Sequence, residues 1–280
     1  MVEYGMLIDT SLCIACRGCQ VACKQWNQMP AEITQNTGNY KNPPDLTYHT
    51  WTLVDFQEYR DVAGKVHWVF RKEQCRHCVD PGCMNACPVP NAIVKDGSGA
   101  VIVNQNLCGD CDTECYDGCP WAIPRFVGYD HDAPDKNRAN WMHEAWKCWM
   151  CRDRISEGRP TACSQTCPTG ATRTLNKTGL MAVALERLNH LKANGFPNAS
   201  IWPPAGYETN VIWILVDKPE RYQVVERPAS PATKPLRPAD GMDIAPRLAS
   251  AGALGSLALA AAAKFVERAE KVRKTGKDES

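Results

Sequence analysis

Sixteen cysteines in this 280-residue chain fall into four tight quartets, with none left over. The quartets are Cys13, Cys16, Cys19 and Cys23; Cys75, Cys78, Cys83 and Cys87; Cys108, Cys111, Cys115 and Cys119; and Cys148, Cys151, Cys163 and Cys167. This constrains the fold more than any hydrophobic period does. Each group of thiols must converge on something that holds it, and the regular elements have to fit between.

Three chemistries compete for such groups. A disulfide framework suits short secreted domains that lack an adequate core. Here 280 residues with 44% hydrophobic content can bury a core without staples. Structural zinc usually joins two C-x2-C pairs across a long gap. Taken alone, the fourth quartet fits that pattern, with its gap between Cys151 and Cys163. The first does not, because Cys13-x2-Cys16-x2-Cys19-x3-Cys23 packs four ligands into eleven residues. That is the bacterial ferredoxin run, in which three cysteines hold one cubane and the fourth reaches to another.

Iron–sulfur is therefore the reading the spacing favours. Pro88, Pro120 and Pro168 each follow the last cysteine of a quartet, as in the bacterial pattern, and proline turns the chain away at that point. The first quartet has Lys24 there instead, and the third has one extra residue between Cys111 and Cys115. The formal net charge is +1. Four oxidised cubanes with their thiolates would take it to roughly −7. Arg17, Lys24, Lys72, Arg76, Lys147, Arg152 and Arg154 lie beside the quartets and either offset part of this charge or form ordinary solvated surface.

Between the quartets the pattern predicts an α+β chain. Tyr4–Ile8 reads as a strand and Gln20–Trp26 as a helical turn; residues 29–48 read as loop. Trp51–Tyr59 and Val66–Arg71 read as a hairpin around Gly64, and Ala100–Val103 as a further strand. Trp141–Ser156 has helical character. Thr178 is placed to cap a helix that carries Leu180, Ala184, Leu188 and Leu191 on one face and ends at Asn194-Gly195. Glu208–Asp217 contains a buried strand. Because the fourth ligand is crossed, each ferredoxin-like unit needs two quartets. The simplest arrangement nests the inner pair within the outer pair. The expected organisation is an outer, discontinuous unit of residues 1–72 and 124–178, and an inner unit of 73–123, two clusters in each. A helix–strand extension of 179–227 would follow, packing on the core or a partner, then a segment of 228–280.

That last segment begins with a proline-rich linker, Pro228–Pro246. Leu248–Ala263 is uncharged but short of the roughly 20 residues that cross a bilayer; Ile244–Val266 would suffice if Arg247 and Lys264 snorkel. A helix docked on another subunit is the competing reading. If residues 244–266 do span, the basic tail lies in the cytoplasm and the quartets on the periplasmic side. Otherwise the chain is soluble in a complex, membrane-associated or cytoplasmic. Met1–Asp9 has no basic region followed by a long apolar run of the secretory kind.

Three stretches carry a family resemblance: DTSLCIACRGCQVACKQW at Asp9–Trp26, WVFRKEQCRHCVDPGCMNACP at Trp68–Pro88, and PTACSQTCPTG at Pro160–Gly170 after KCWMCRDRISEG. They resemble the electron-transfer β subunits that accompany molybdenum or tungsten enzymes of the dimethyl sulfoxide reductase family. LKANGFPNAS and VIWILVDKPERY are similar to the respiratory formate dehydrogenase branch. The resemblance implies two ferredoxin-like units in pseudo-symmetric nesting, with four [4Fe-4S] clusters. Carried over, the ligand sets are Cys13, Cys16, Cys19 with Cys167; Cys148, Cys151, Cys163 with Cys23; Cys75, Cys78, Cys83 with Cys119; and Cys108, Cys111, Cys115 with Cys87. It also implies a large molybdopterin-containing catalytic partner, and a membrane cytochrome b subunit or soluble carrier as acceptor.

The chain itself is expected to make and break no substrate bonds, and no nucleic-acid partner is expected. It has neither a Walker A loop nor a G-x-G-x-x-G run. Of six histidines only His77 sits inside a cysteine motif, where a donor to a cluster and an ordinary packed residue are both open. Asp80 and Asp110 read equally as turn formers. Trp121, Trp141, Trp146 and Trp149 read as core or interface packing before any electron relay. The rival functions are the same relay in a sister oxidoreductase acting on sulfur, nitrogen or aldehyde substrates, a free-standing polyferredoxin, and a zinc scaffold.

Overall fold

Met6, Leu7 and Ile8 are all fully buried, yet they face two different cores, and this split organises the fold. The computed structural model describes residues 2–35, 38, 40–109, 111–128, 142–222 and 224.

The chain opens with strand β1 (Tyr4–Asp9), then the first cysteine loop and helix α1 (Gly18–Trp26). No regular element interrupts the described part of residues 29–48. A hairpin follows, β2 (Leu53–Arg60) with β3 (Val66–Glu73). Its turn is tied by Asp61, whose Oδ1 accepts from the backbone N–H of Ala63 and Lys65 at 2.9 and 3.0 Å. Gly64 sits there at φ +81°, a conformation glycine adopts freely. The second quartet holds the one-turn helix α2 (Gly82–Asn85). Short strands β4 (Ile93–Lys95) and β5 (Val101–Val103) pair antiparallel before α3 (Glu114–Asp117) in the third quartet. Then come β6 (Arg125–Val127) and β7 (Met142–Trp146), α4 (Arg152–Ser156), α5 (Ala162–Gln165), β8 (Thr172–Asn176) and the long α6 (Lys177–Ala193). Strands β9 (Ser200–Trp202) and β10 (Val211–Leu215) and a 3₁₀ turn at Pro219–Tyr222 are the last elements among the described residues.

The main sheet runs β8-β1-β10-β9, with β1 and β10 parallel and the outer pairs antiparallel. Alternation along a strand sends successive side chains to opposite faces. Met6 and Ile8 of β1, with Val211, Trp213 and Leu215 of β10, join the large core that contains most of the buried cysteines. Leu7, Ile212 and Ile214 point the other way, onto Leu180, Ala184 and Leu191 of α6. The sheet is thus a wall, with the cysteine sites on one side and a covering helix on the other. Both faces being buried explains why β10 reads as an unbroken apolar run.

Two expectations need correction. Met142–Trp146, within the stretch given helical character, is strand β7; only Arg152–Ser156 is helical there. The strand forms because Ala145 pairs with Phe126 of β6, both fully buried, so tertiary pairing outweighs local propensity. The cap of α6 is Asn176, whose side chain accepts from Thr178 N–H, rather than Thr178 itself. The linker at Pro228–Pro246 and the segment 244–266 lie outside the described residues. No helix among the described residues is long and apolar enough to cross a membrane.

Candidate metal centres

Three of the four cysteine loops bend their backbone the same way. In the C-x2-C steps of the first, second and fourth quartets, the residue before the second cysteine is left-handed: Ala15 at φ 55°, His77 at 48° and Met150 at 56°. Non-glycine residues occupy this region at a cost, and such strain gathers at functional sites. The bend turns a backbone N–H onto the first thiol of each loop. His77 N–H reaches Cys75 Sγ at 3.4 Å and Met150 N–H reaches Cys148 Sγ at 3.3 Å; Ala15 serves Cys13 in the same way. In the third quartet Thr113, between Cys111 and Cys115, is left-handed at φ 65°, and its N–H serves Cys111.

Two cavities lie among the thiols. One is lined by Cys23, Cys148, Cys151 and Cys163. The other is lined by Cys75, Cys78, Cys83 and Cys119. In each, three cysteines come from one quartet and the fourth from its partner. The remaining eight fall into two further groups by their mutual electrostatics. Cys13 feels Cys167 and Cys16, and Cys115 feels Cys108, Cys111 and Cys87. Among the described residues, no three His, Cys, Asp or Glu side chains close tightly enough to hold a single ion. Four thiols line each cavity, a donor set suited to a polynuclear group.

The walls suit an anionic, sulfur-rich guest. In the first cavity Ala162 N–H reaches Cys151 Sγ at 3.4 Å, and Asn27 Nδ2 reaches Cys23 Sγ at 3.6 Å. Lys72 Nζ and Trp149 Nε1, both buried at its lining, have no acceptor. In the second, Ile123 N–H reaches Cys119 Sγ at 3.4 Å, and the Trp121 indole turns to Cys78. Lys147 lines it too, hydrogen-bonded to the carbonyls of Val101 and Cys148. Buried donors aimed at empty space between thiols fit a [4Fe-4S] cubane, whose sulfurs and thiolates accept hydrogen bonds. Burial drives the thiols of Cys23, Cys83 and Cys115 well above their ordinary range, and those of Cys19, Cys78 and Cys148 up to about 12. Iron would supply the charge that makes them thiolates. Cys167 is the exception. Burial raises it, but N–H groups of Thr169, Ala171 and Thr172 with the Thr169 hydroxyl outweigh that and hold it below the usual thiol value.

The cations beside the quartets divide sharply. Lys72, Arg76, Lys147 and Arg154 are buried, while Arg152 is exposed. Arg76 is paired with Glu73 and caged by Trp121, Trp202 and Trp213, with its guanidinium carbon 5.3, 4.9 and 5.0 Å from their ring centres. Its neighbour His77 is fully buried, and burial with the charges of Lys147, Lys72 and Lys95 pushes its pKa well down. Its Nδ1 accepts from Val101 N–H at 3.0 Å, so a neutral ring carries its proton on Nε2. Trp146 and Trp149 stack on Trp51 at 6.1 and 5.2 Å. Asp80 accepts from Asn85 Nδ2 at 2.7 Å, a local tie. Asp110 and Trp141 lie outside the described residues.

Comparison with known proteins agrees with this chemistry. Two family models, each described as a 4Fe-4S dicluster domain, match residues 12–91 and 66–177. The formate dehydrogenase iron-sulfur subunit of Haemophilus influenzae is 40% identical over 225 residues, covering 79% of this chain and 68% of that protein. The formate dehydrogenase-O iron-sulfur subunit of Escherichia coli is 40% identical over 223 residues, 79% of this chain and 70% of that one. Formate dehydrogenase 2 subunit beta (cytochrome c-553) of Nitratidesulfovibrio vulgaris is 37% identical over 224 residues, covering 78% of this chain and 95% of that protein.

Proposed function

The chain belongs to the family of formate dehydrogenase iron–sulfur subunits, and from that we propose that it conducts electrons through four [4Fe-4S] clusters held in the crossed sets. Site I is Cys13, Cys16, Cys19 and Cys167. Site II is Cys148, Cys151, Cys163 and Cys23. Site III is Cys75, Cys78, Cys83 and Cys119, and site IV is Cys108, Cys111, Cys115 and Cys87. Bound there, the clusters supply one-electron chemistry and nothing else.

One observation carries the reading: the sites form a row that is buried in the middle and open at both ends. Cys19 of site I feels Cys163 of site II; Cys148 of site II feels Cys75 of site III; Cys115 of site IV feels Cys119 of site III. All four cysteines of site II are buried, as are three of site III. Site I has the exposed Cys16 and three half-buried cysteines, and site IV has three half-buried ones. A row with two accessible ends has an entrance and an exit. We place the entrance at site I, where Ile14 and Val21 also lie exposed beside Cys16. A molybdopterin-containing subunit that oxidises formate would deliver electrons there, and a quinone-linked cytochrome or another carrier would collect them beyond site IV.

The packing of α1 on α5 and of α2 on α3 supports the nested division into an outer unit of 1–72 with 124–178 and an inner unit of 73–123. On this reading the chain's residues do three things. The crossed cysteines lock the halves of each unit together. The N–H donors and buried cations favour the reduced state of each site. The apolar core excludes water from sites II and III.

The test uses gently isolated native complex without oxygen. Added formate should bleach the visible iron–sulfur absorbance promptly, and anaerobic analysis should approach sixteen irons per chain. Bleaching by dithionite but not by formate would keep the wire and reject the formate-oxidising partner. Iron near twelve would reject the fourth cluster.

A further inference from the structure

Six lysines and arginines are buried among the described residues: Arg71, Lys72, Arg76, Arg125, Lys147 and Arg154. Five have their charged heads engaged. Arg71 and Arg76 share Glu73, and Arg125 pairs with Asp45. Lys147 bonds two carbonyls, and Arg154 bonds Pro160 O and Gln165. Lys72 alone, 1% exposed, has an ammonium with no acceptor. An unpaired buried charge is strongly disfavoured and persists only beside an opposite one.

The surroundings identify that opposite charge. Lys72 lines the cavity of site II with Cys23, Cys148, Cys151 and Cys163, and the thiols of Cys163, Cys19, Cys148 and Cys23 act most strongly on its charge. Three of the four, Cys163, Cys148 and Cys23, belong to site II, and Cys19 belongs to the neighbouring site I. Its backbone is fixed by the β3 ladder opposite Val54 and by Trp213 Nε1, which donates to Lys72 O at 2.8 Å. The neighbouring Arg71 and Arg76 are both paired with Glu73, and Arg71 also with Asp55, whereas Lys72 has no carboxylate partner among the described residues. The sequence placement is also crossed: Lys72 stands three residues before the second quartet, yet it serves the first and fourth.

We infer that Lys72 is the fixed counter-charge shared by sites I and II, a positioning residue that raises the reduction potentials of both and eases electron passage between them. This rests on the four-cluster reading above. One-electron reduction takes a cubane with four thiolates from about −2 to about −3, with no bond made or broken. The electron comes from the donor subunit by way of site I and leaves towards site III. A cation held at the boundary favours the more negative state on either side.

The experiment is a potentiometric titration followed by electron paramagnetic resonance, on the cluster-loaded full chain in its native complex. It compares wild type, Lys72→Met and Lys72→Arg. In Lys72→Met the reduced-to-oxidised ratio at fixed potential should fall at least tenfold at two clusters, about 59 mV for a one-electron couple, while the other two stay put. Lys72→Arg should restore most of that shift. Four clusters with unmoved potentials in Lys72→Met would overturn the inference, whereas fewer than four in wild type would overturn the reading beneath it. If Lys72→Met fails to load, wild-type complex labelled with ¹⁵Nζ-lysine decides the matter. A lysine nitrogen coupled to a reduced cluster supports the assignment, and its absence rejects it.

Discussion

Ala86 and Gly118 meet where α2 crosses α3, and each immediately precedes the last cysteine of its quartet. A Cβ added at Gly118 would lie 2.5 Å from Ala86 Cβ and 2.7 Å from Gly82 O, closer than real atoms approach. On the proposed crossed ligand sets, the helices are this close because Cys87 and Cys119 pass each other to reach the opposite sites. Gly118→Ala should therefore force α2 and α3 apart, with a destabilisation of about 1–3 kcal/mol. Iron analysis should show loss confined to the inner unit, up to about half the total. Full iron content would separate the crossing from the close contact.

The crossed ligand sets make a paired prediction. Cys23→Ser and Cys148→Ser should abolish the same cluster signal, although 125 positions separate them. Cys167→Ser and Cys13→Ser should abolish a different one. Resonance spectra of the four variants, reduced under identical conditions, are the check. If Cys23→Ser instead matched Cys13→Ser, each quartet would hold its own cluster.

Glu32 ties the loop at Thr47–Thr50 to α1, accepting from both hydroxyls and from Lys24 Nζ at 3.0 Å. Burial works to raise its carboxyl, but those three donors outweigh it and hold the pKa below the ordinary 4.5. With the folded value below the unfolded one, the unfolded chain binds more protons as pH falls. The contribution is then complete above about pH 4.5 and fades through the lowered value. Wild type should exceed Glu32→Gln by roughly 1–2 kcal/mol at neutral pH. The difference should shrink as the pH falls below about 4.5. Urea titrations of both proteins across that range would show it, and a constant gap would exclude the carboxylate.

The two-faced sheet separates stability from cluster chemistry. Leu7 faces α6 alone, with Leu180 and Ile212. Leu7→Ala should cost about 2–5 kcal/mol. It should leave the cluster spectrum of the still-folded protein unchanged. Denaturant midpoints and visible spectra measure the two effects independently, and a bleached spectrum at low denaturant would show that the wall transmits strain.

Much of this was legible in the residues. The quartets, the hairpin at Asp61–Lys65 and the apolar run of β10 carry local signals that packing reinforces. What escaped depends on long-range partners. β4 has only three residues and exists because β5 pairs with it. β7 carries a helical pattern locally and becomes a strand through Phe126 of β6, a partner outside its own segment. Lys72 and Lys147 are indistinguishable in sequence from surface lysines, since a charge shows no sign of its burial until the sheet encloses it. The left-handed residues at Ala15, His77 and Met150 also had no signal in residue type, because the strain is imposed by the cysteines on either side.

The parallel pairing of β1 with β10 sets a timetable for making the protein. Met6 aligns with Val211, and its N–H donates to Asn210 O at 2.7 Å, so the first strand waits for one that leaves the ribosome some two hundred residues later. At cellular synthesis rates that is on the order of ten seconds or more with β1 lacking its central neighbour. The wall behind the cysteine sites cannot close until Val211–Leu215 has left the ribosome. Iron loading that depends on this wall is therefore a late event in biogenesis, and the nascent chain must be kept reduced and shielded until then.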